Sequence, residues 1–317
     1  MATGRALHID VPLSNVAVEA FDSSGDYVAG KVFPPVSVDN QSNTYYTLDA
    51  ASWLLVPNTY RAPKTVANKV EFSVSSDTYF AKNYALGSDI TLEDMANADK
   101  AVALRQRSVN LSIEGLKRDY EVRAAAKMIA NCSSVSRLAS ADAWDAVNSA
   151  DIVGQVTNAR IYMQGLTGLR PNAAVIDWRS LQYARTNALA RDYTKYVVKG
   201  KLGIDALMEL WEIDNLYVAR SMKNNAPESA TASLTSIWGP TFALFVEGPA
   251  TMQTQAYGLG FRWKPEGAST DFQVERQVFS GAGTKKVETV EASYYQDEKV
   301  LSSNLGFYIN TKSGQVW

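Results

Sequence analysis

The longest periodic pattern in the chain starts near "SDITLEDMANADK" and continues through "LRQRSVNLSIEGLKRDYEVRAAAKMIA". Met95, Ala98, Val102, Val109, Ile113, Leu116, Tyr120, Ala124 and Met128 recur at three- and four-residue steps and predict one apolar stripe along a helix. Leu104, Leu111, Val122 and Ile129 form a thinner line on another face. Ser88 or Thr91 can cap the start, near Asp89, Glu93, Asp94 and Asp99; Arg118, Arg123 and Lys127 crowd the end, as the macrodipole favours. Unbroken from Thr91 to Ala130, such a helix runs roughly 60 Å at about 1.5 Å per residue, long for one compact domain. Gly115, near its middle, costs about 1 kcal/mol against alanine and marks a bend or a close approach.

Upstream the pattern has period two. Residues 43 to 76 predict a long hairpin: "TYYTLDAASWLLVP", a turn in "NTYRAPK", and a return in "TVANKVEFSVSS", where Val70, Phe72 and Val74 alternate with polar residues. Arms of about 10 residues reach roughly 33 Å. A two-stranded ribbon is marginal in water, and no partner for its apolar face is adjacent in sequence. Residues 1 to 40 are polar and broken by "VFPP", yet carry Val11, Leu13, Val16, Val18, Phe21, Tyr27, Val32 and Phe33. That is too apolar for a solvated linker, so an arm lying on something else is expected.

Beyond the long helix the pattern becomes α/β. "DIVGQVTNARIYMQG" is helical and stops at "GLTG"; "PNAAVID" is a short buried strand whose Asp177 caps the helix "WRSLQYARTN". Ile204, Leu207, Met208 and Trp211 sit at helical spacing, "NLYVARS" reads as a strand, and "SIWGPTFALFVEG" as a turn before a fully apolar strand. From Tyr257 onward strands dominate: "YGLGFRWKP", "DFQVERQVF", a glycine turn "SGAG", "KKVETVEASYY" and "LGFYINT".

Composition narrows the function. Of 317 residues 46% are hydrophobic and 20% charged, which permits a sizeable core, and the net charge of −2 argues against a dedicated nucleic-acid binder. One cysteine, Cys132, excludes a disulfide framework and a cysteine-rich metal site. The N-terminus lacks the apolar run of a secretory signal, and no stretch nears the ~18 apolar residues of a membrane helix, so a soluble chain is expected. His8 has no carboxylate or cysteine at ligand spacing, Cys132 has no partner base, and the glycine pairs in "YGLGFRW" and "SGAGTKK" do not match a phosphate loop. No catalytic, cofactor or metal site is predicted, and the chain reads as a non-enzyme.

Three stretches, "TGLRPNAAVIDWRSLQYARTN", "LMELWEIDNLYVARS" and "SIWGPTFALFVEG", follow the rod "LRQRSVNLSIEGLKRDYEVRAA". In that order they resemble the major capsid proteins of tailed bacteriophages, the Hong Kong 97-like fold. The resemblance runs from about Leu86 to Ile309. It implies an α+β chain divided into an N-terminal arm (1–40), an extended β-hairpin loop (41–87), a peripheral domain with a spine helix (88–150), an axial α/β domain (151–256) and a C-terminal β segment returning to the peripheral domain (257–317).

The same resemblance implies self-assembly as hexamers and pentamers into an icosahedral virion shell around double-stranded DNA, built in the bacterial cytoplasm. DNA would be touched only weakly and non-specifically, and no membrane is involved. It also implies a portal protein and, since the chain opens on the arm, a separate scaffolding protein; a decoration protein is left open. The expected inter-subunit contacts are Trp53, Leu54, Leu55, Val56, Tyr60, Val70, Phe72 and Val74 on the loop. Lys64 and Lys69 could donate to Lys–Asn cross-links, but residues 273 to 303 hold no asparagine, so cross-linking is not expected. The rivals are an encapsulin-like nanocompartment shell, which shares the fold, and, from a different class, a soluble binding protein or a hydrolase.

Overall fold

The computed structural model describes residues 8–9, 26–48, 54, 56, 59–61, 63, 66, 69, 74–97, 101–135, 142–195, 201–227, 231–249, 251, 255–265, 272–279 and 287–312. Two sheets are joined by one long helix. At the centre of the first sheet lies β14 (Val287–Val300). One side of it pairs antiparallel with β5 (Lys82–Thr91). The other side pairs first with β13 (Gln273–Phe279), then with β12 (Gly258–Trp263). Beyond β12 lies β2 (Pro35–Val38), in parallel, and at the edge of β13 lies β1 (His8–Ile9). A separate ribbon pairs β3 (Ser42–Leu48) with β4 (Val74–Phe80), and a short one pairs β9 (Met222–Asn224) with β10 (Leu234–Ser236).

The second sheet runs β6 (Ser133–Val135), β15 (Gly306–Asn310), β11 (Thr241–Phe245), β7 (Ala173–Asp177), β8 (Asn215–Ala219). Every residue of β7, β11 and β15 is buried, so these strands read as apolar runs and not as alternations. Helices α4 (Ile152–Thr167), α5 (Trp178–Thr186), α6 (Ala188–Thr194) and α7 (Ile204–Trp211) cover it. Asp177 starts α5 by accepting the Arg179 N–H at 2.9 Å, and Asp151 starts α4 by accepting that of Gly154. Gly168 ends α4 with φ +71°, a left-handed cap open to glycine. Phe242 lies 5.0 Å, ring to ring, from both Trp144 and Trp211 at the heart of this core.

The long helix is α3 (Ala101–Asn131), preceded by the helical segment α2 (Leu92–Asn97); residues 98–100 between them lie outside the described residues. Val109, Ile113 and Leu116 pack with Val290, Ala292 and Tyr294 of the first sheet, whereas Tyr120, Ala124, Ala125 and Met128 belong to the core of the second. The predicted stripe is therefore buried over 109–128, shared between two cores. The side chains of Met95 and Val102, and the whole of Ala98, lie outside the described residues. In the thinner line Leu111 is 69% exposed. Gly115 serves a close approach: a Cβ there would lie 2.5 Å from Leu86 Cδ2.

Two expectations need correction. Ser88 does not cap the long helix; it pairs with Val290 inside β5, and Thr91 caps α2 by accepting the Asp94 N–H at 3.1 Å. The polar run 82–91 becomes a strand because β14 offers ten successive residues to pair with, a tertiary preference that local pattern does not carry. "VFPP" does not forbid regular structure. Val32 ends a single helical turn, α1 (Ala29–Val32), and Pro35 opens β2 at the sheet's edge, where a missing N–H does no harm.

The described part of the arm packs on its own chain. Val28, Ala29, Val32 and Phe33 are buried in the chain's own core, and Val36 and Val38 beside Phe261. The second sheet combines strands from three of the expected segments: β6 from 88–150, β7, β8 and β11 from 151–256, and β15 from 257–317.

Two glycines give opposite expectations. A methyl at Gly115 meets only the end of the half-exposed Leu86 side chain, which can turn aside, while helix propensity improves. A methyl at Gly258 meets the ring of buried Phe33 at 2.5 Å and the Lys299 backbone oxygen at 2.9 Å. Urea unfolding of the subunit should show Gly115→Ala neutral or mildly stabilising, and Gly258→Ala destabilising by about 1–3 kcal/mol.

Candidate assembly surfaces and the joints behind them

The charge that tiles α3 is largely turned inward. Arg105 donates two hydrogen bonds of 2.8 Å to the buried Glu288 carboxylate of β14, a bidentate pair. Arg123 lies 3.6 Å from the Tyr84 ring centroid and donates to Tyr294 Oη at 2.7 Å, to Asp119 at 2.9 Å and to Glu298. Lys127 donates to the Glu298 backbone oxygen and lies 3.6 Å from the Asp297 and Glu298 carboxylates. These cations share the face of the apolar stripe and fix the register of helix on sheet at intervals along β14.

Sequence reading missed a deeper joint. Glu121, fully buried on α3, accepts the backbone N–H of Ala29 at 2.8 Å and that of Val28 at 3.0 Å, with Trp238 Nε1 donating at 2.5 Å and Ser221 Oγ at 3.5 Å. Burial pushes its carboxyl above the usual range, against the pull of these donors. One side chain thus ties the N-terminal segment, the long helix and the turn before β11 together. No local signal marks it, because its partners lie 92 to 117 residues away.

Of the eight predicted contact residues, Trp53, Leu55, Val70 and Phe72 lie outside the described residues. Val74 opens β4 opposite Leu48, so the hairpin exists, with its described strands at 42–48 and 74–80. Leu54, Val56 and Tyr60 are 52%, 91% and 77% exposed. Leu54 is placed close to the Gly168 cap of its own chain. A further exposed apolar group, not predicted, lies on α4: Ile161, Tyr162 and Leu166. His8 pairs through its backbone with Arg276 at the first sheet's edge. Cys132 packs against the larger core, where burial raises its thiol to about 12. Among the described residues no helix is long and apolar enough to cross a membrane, and no cluster has the makings of a metal site.

No protein-family model matches the chain. A phage-related protein from Bordetella bronchiseptica RB50 shares its structure with a TM-score of 0.73 at 21% identity, covering 99% of both chains. A chain of the Cyanophage P-SCSP1u capsid gives 0.58 at 11% identity, with 91% of this chain and 89% of that one covered. Long helix, two sheets and ribbon together are the Hong Kong 97-like capsid fold. The sequence goes further. Over 318 aligned residues, 95% of this chain and 96% of the other, it is 26% identical to the major capsid protein of Pseudomonas phage JBD67. Over 242 residues, 74% of this chain and 75% of the other, it is also 22% identical to the major capsid protein of Burkholderia phage BcepMu, so the chain is similar in sequence to two phage major capsid proteins.

Glu121→Ala leaves three buried N–H donors without their acceptor, each worth about 1–3 kcal/mol. Urea unfolding should show a loss of at least about 3 kcal/mol. Limited proteolysis should cut first near Asp26 in the variant, ahead of any site in β14.

Proposed function

We propose that this chain is the principal shell subunit of an icosahedral phage capsid, assembling as hexamers and pentamers around double-stranded DNA. The observation that carries the reading is a match to a phage major capsid protein over nearly the full length of both chains. The fold alone would serve a nanocompartment shell equally well; the sequence relatives favour the virion. Assembly in the host cytoplasm, a separate scaffolding protein, a portal and the five-segment division of the chain belong to the same proposal.

The chemistry agrees with a wall. With one histidine and one half-buried cysteine, the chain has little with which to run acid–base or nucleophilic catalysis, and we assign it none. A net charge of −2 suits a surface that must enclose DNA without gripping it. The loop residues Leu54, Val56 and Tyr60 present apolar surface that water disfavours and a neighbouring subunit can cover.

Purified chain, alone or with its scaffold, should form closed particles or hexamer-sized rings in negative-stain images, and those particles should dissolve into single chains on boiling in detergent. A compact monomer at every concentration and salt would defeat the shell reading; a ladder of covalent oligomers would defeat the expectation about cross-links.

Val56 tests the loop. Because it is 91% exposed, Val56→Asp should shift subunit unfolding by less than about 0.5 kcal/mol. Particle yield should nonetheless fall at least tenfold, measured by sedimentation of matched samples.

A further inference from the structure

The buried carboxylates Glu288 and Glu298 of β14 face Arg105, Arg123 and Lys127. Glu121 is buried just as deeply and is held by neutral groups: the Val28 and Ala29 N–H, the Trp238 indole and the Ser221 hydroxyl. The charged and titratable groups on the elements packed around it are engaged elsewhere. On α3, Lys117 lies 3.7 Å from Glu114, and Tyr120 Oη donates to the Phe33 backbone oxygen at 2.9 Å. In the N-terminal segment Tyr27 donates to Glu114 at 3.0 Å, and Lys31 lies over the Tyr217 ring. After β8, Arg220 lies over Trp178 and 3.9 Å from Asp26. In the turn before β11, Ser236 donates to Asp177. A carboxylate in so dry a site has hydrogen bonds but no counter-charge, and ionising it costs more than in water.

The bonds to residues 28 and 29 are the ones free to part. Val28 caps and Ala29 opens the single turn α1, so their N–H groups have no acceptor within it. Opening there uncovers Val28 and Ala29 alone. Val32 and Phe33 stay in the core, and β2 stays paired with β12.

We propose that Glu121 is a proton-operated latch on residues 26–29: protonated, it holds them closed, and ionised, it favours an opened state in which water reaches the carboxyl. Burial raises the carboxyl above its ordinary value in the closed state, and opening returns it to that value. The closed state therefore binds the proton more tightly. Closure is strongest below the ordinary carboxylate range and weakens as pH rises through the raised value. The latch belongs to the chain itself and acts whether or not the chain builds a shell.

Hydrogen exchange of the purified chain tests it, read as protection factors, which remove the pH dependence of the chemical exchange step. From about pH 5 to about pH 8 protection of the Val28 and Ala29 amides should fall at least about threefold relative to Val175 and Ile176 in β7. Glu121→Gln carries nothing to ionise and should abolish the fall, although His8, Asp177 and the other titrating groups remain. Trp238→Phe keeps the carboxyl and removes one of its donors, so the fall should move to higher pH. Wild-type protection that is constant or rises with pH overturns the latch, and so does an equal fall in Glu121→Gln. Should Glu121→Gln not fold, the wild-type profile and Trp238→Phe decide: a midpoint that stays put or moves down in Trp238→Phe also overturns it.

Discussion

A helix that must satisfy two cores at once cannot be amphipathic in the ordinary way. Over its first half α3 meets the sheet built on β14; over its second half it meets the core of the second sheet, while Glu121 reaches the N-terminal segment on yet another side. The polar side chains on the two buried faces of such a helix have little water to face, while Gln106, Arg107, Asn110, Arg118 and Asp119 take the side left open. The inward ones are kept by supplying each with a partner of opposite sense: carboxylates of β14 for Arg105, Arg123 and Lys127, and amide and indole donors for Glu121. An isolated buried charge would be ruinous, but a paired and hydrogen-bonded one specifies a unique seating. The two halves of the molecule are thereby held at one relative setting.

Much of the fold could be read from sequence where the signal was local. Gly168 ends its helix, Asp177 caps the next, and the runs "AAVID" and "TFALF" are strands buried on both faces. The passage from Trp211 through Glu212, at φ 50°, into β8 was also visible, because "NLYVARS" loses helical spacing. The failures share one cause. The strand 82–91, the docking of Val28 and Ala29, and the role of Glu121 all depend on residues roughly 90 to 200 positions away. Nothing in a window of fifteen residues encodes them.

The candidate surface was legible in outline only. Exposed apolar residues on the loop follow from a run such as "SWLLV" beside prolines, since a ribbon so short of cover must find it elsewhere. The α4 face escaped notice because Ile161, Tyr162 and Leu166 look, in sequence, like ordinary core positions. Only the placement of Val156, Ala159 and Met163 underneath shows that the helix is apolar on both sides.

β15 follows every other strand in the chain, yet it lies between β6 and β11, parallel to one and antiparallel to the other. During synthesis, then, the second sheet stays split. Until residues 306–310 leave the ribosome, β6 has no place in it, and β11 offers a bare apolar edge of five buried-type residues. The nascent chain carries that edge open from the completion of β11 at Phe245 until β15 begins at Gly306. The second sheet is thus completed only well after β11 is made, and the pace of synthesis between the two strands governs how long that edge is available to the wrong partner.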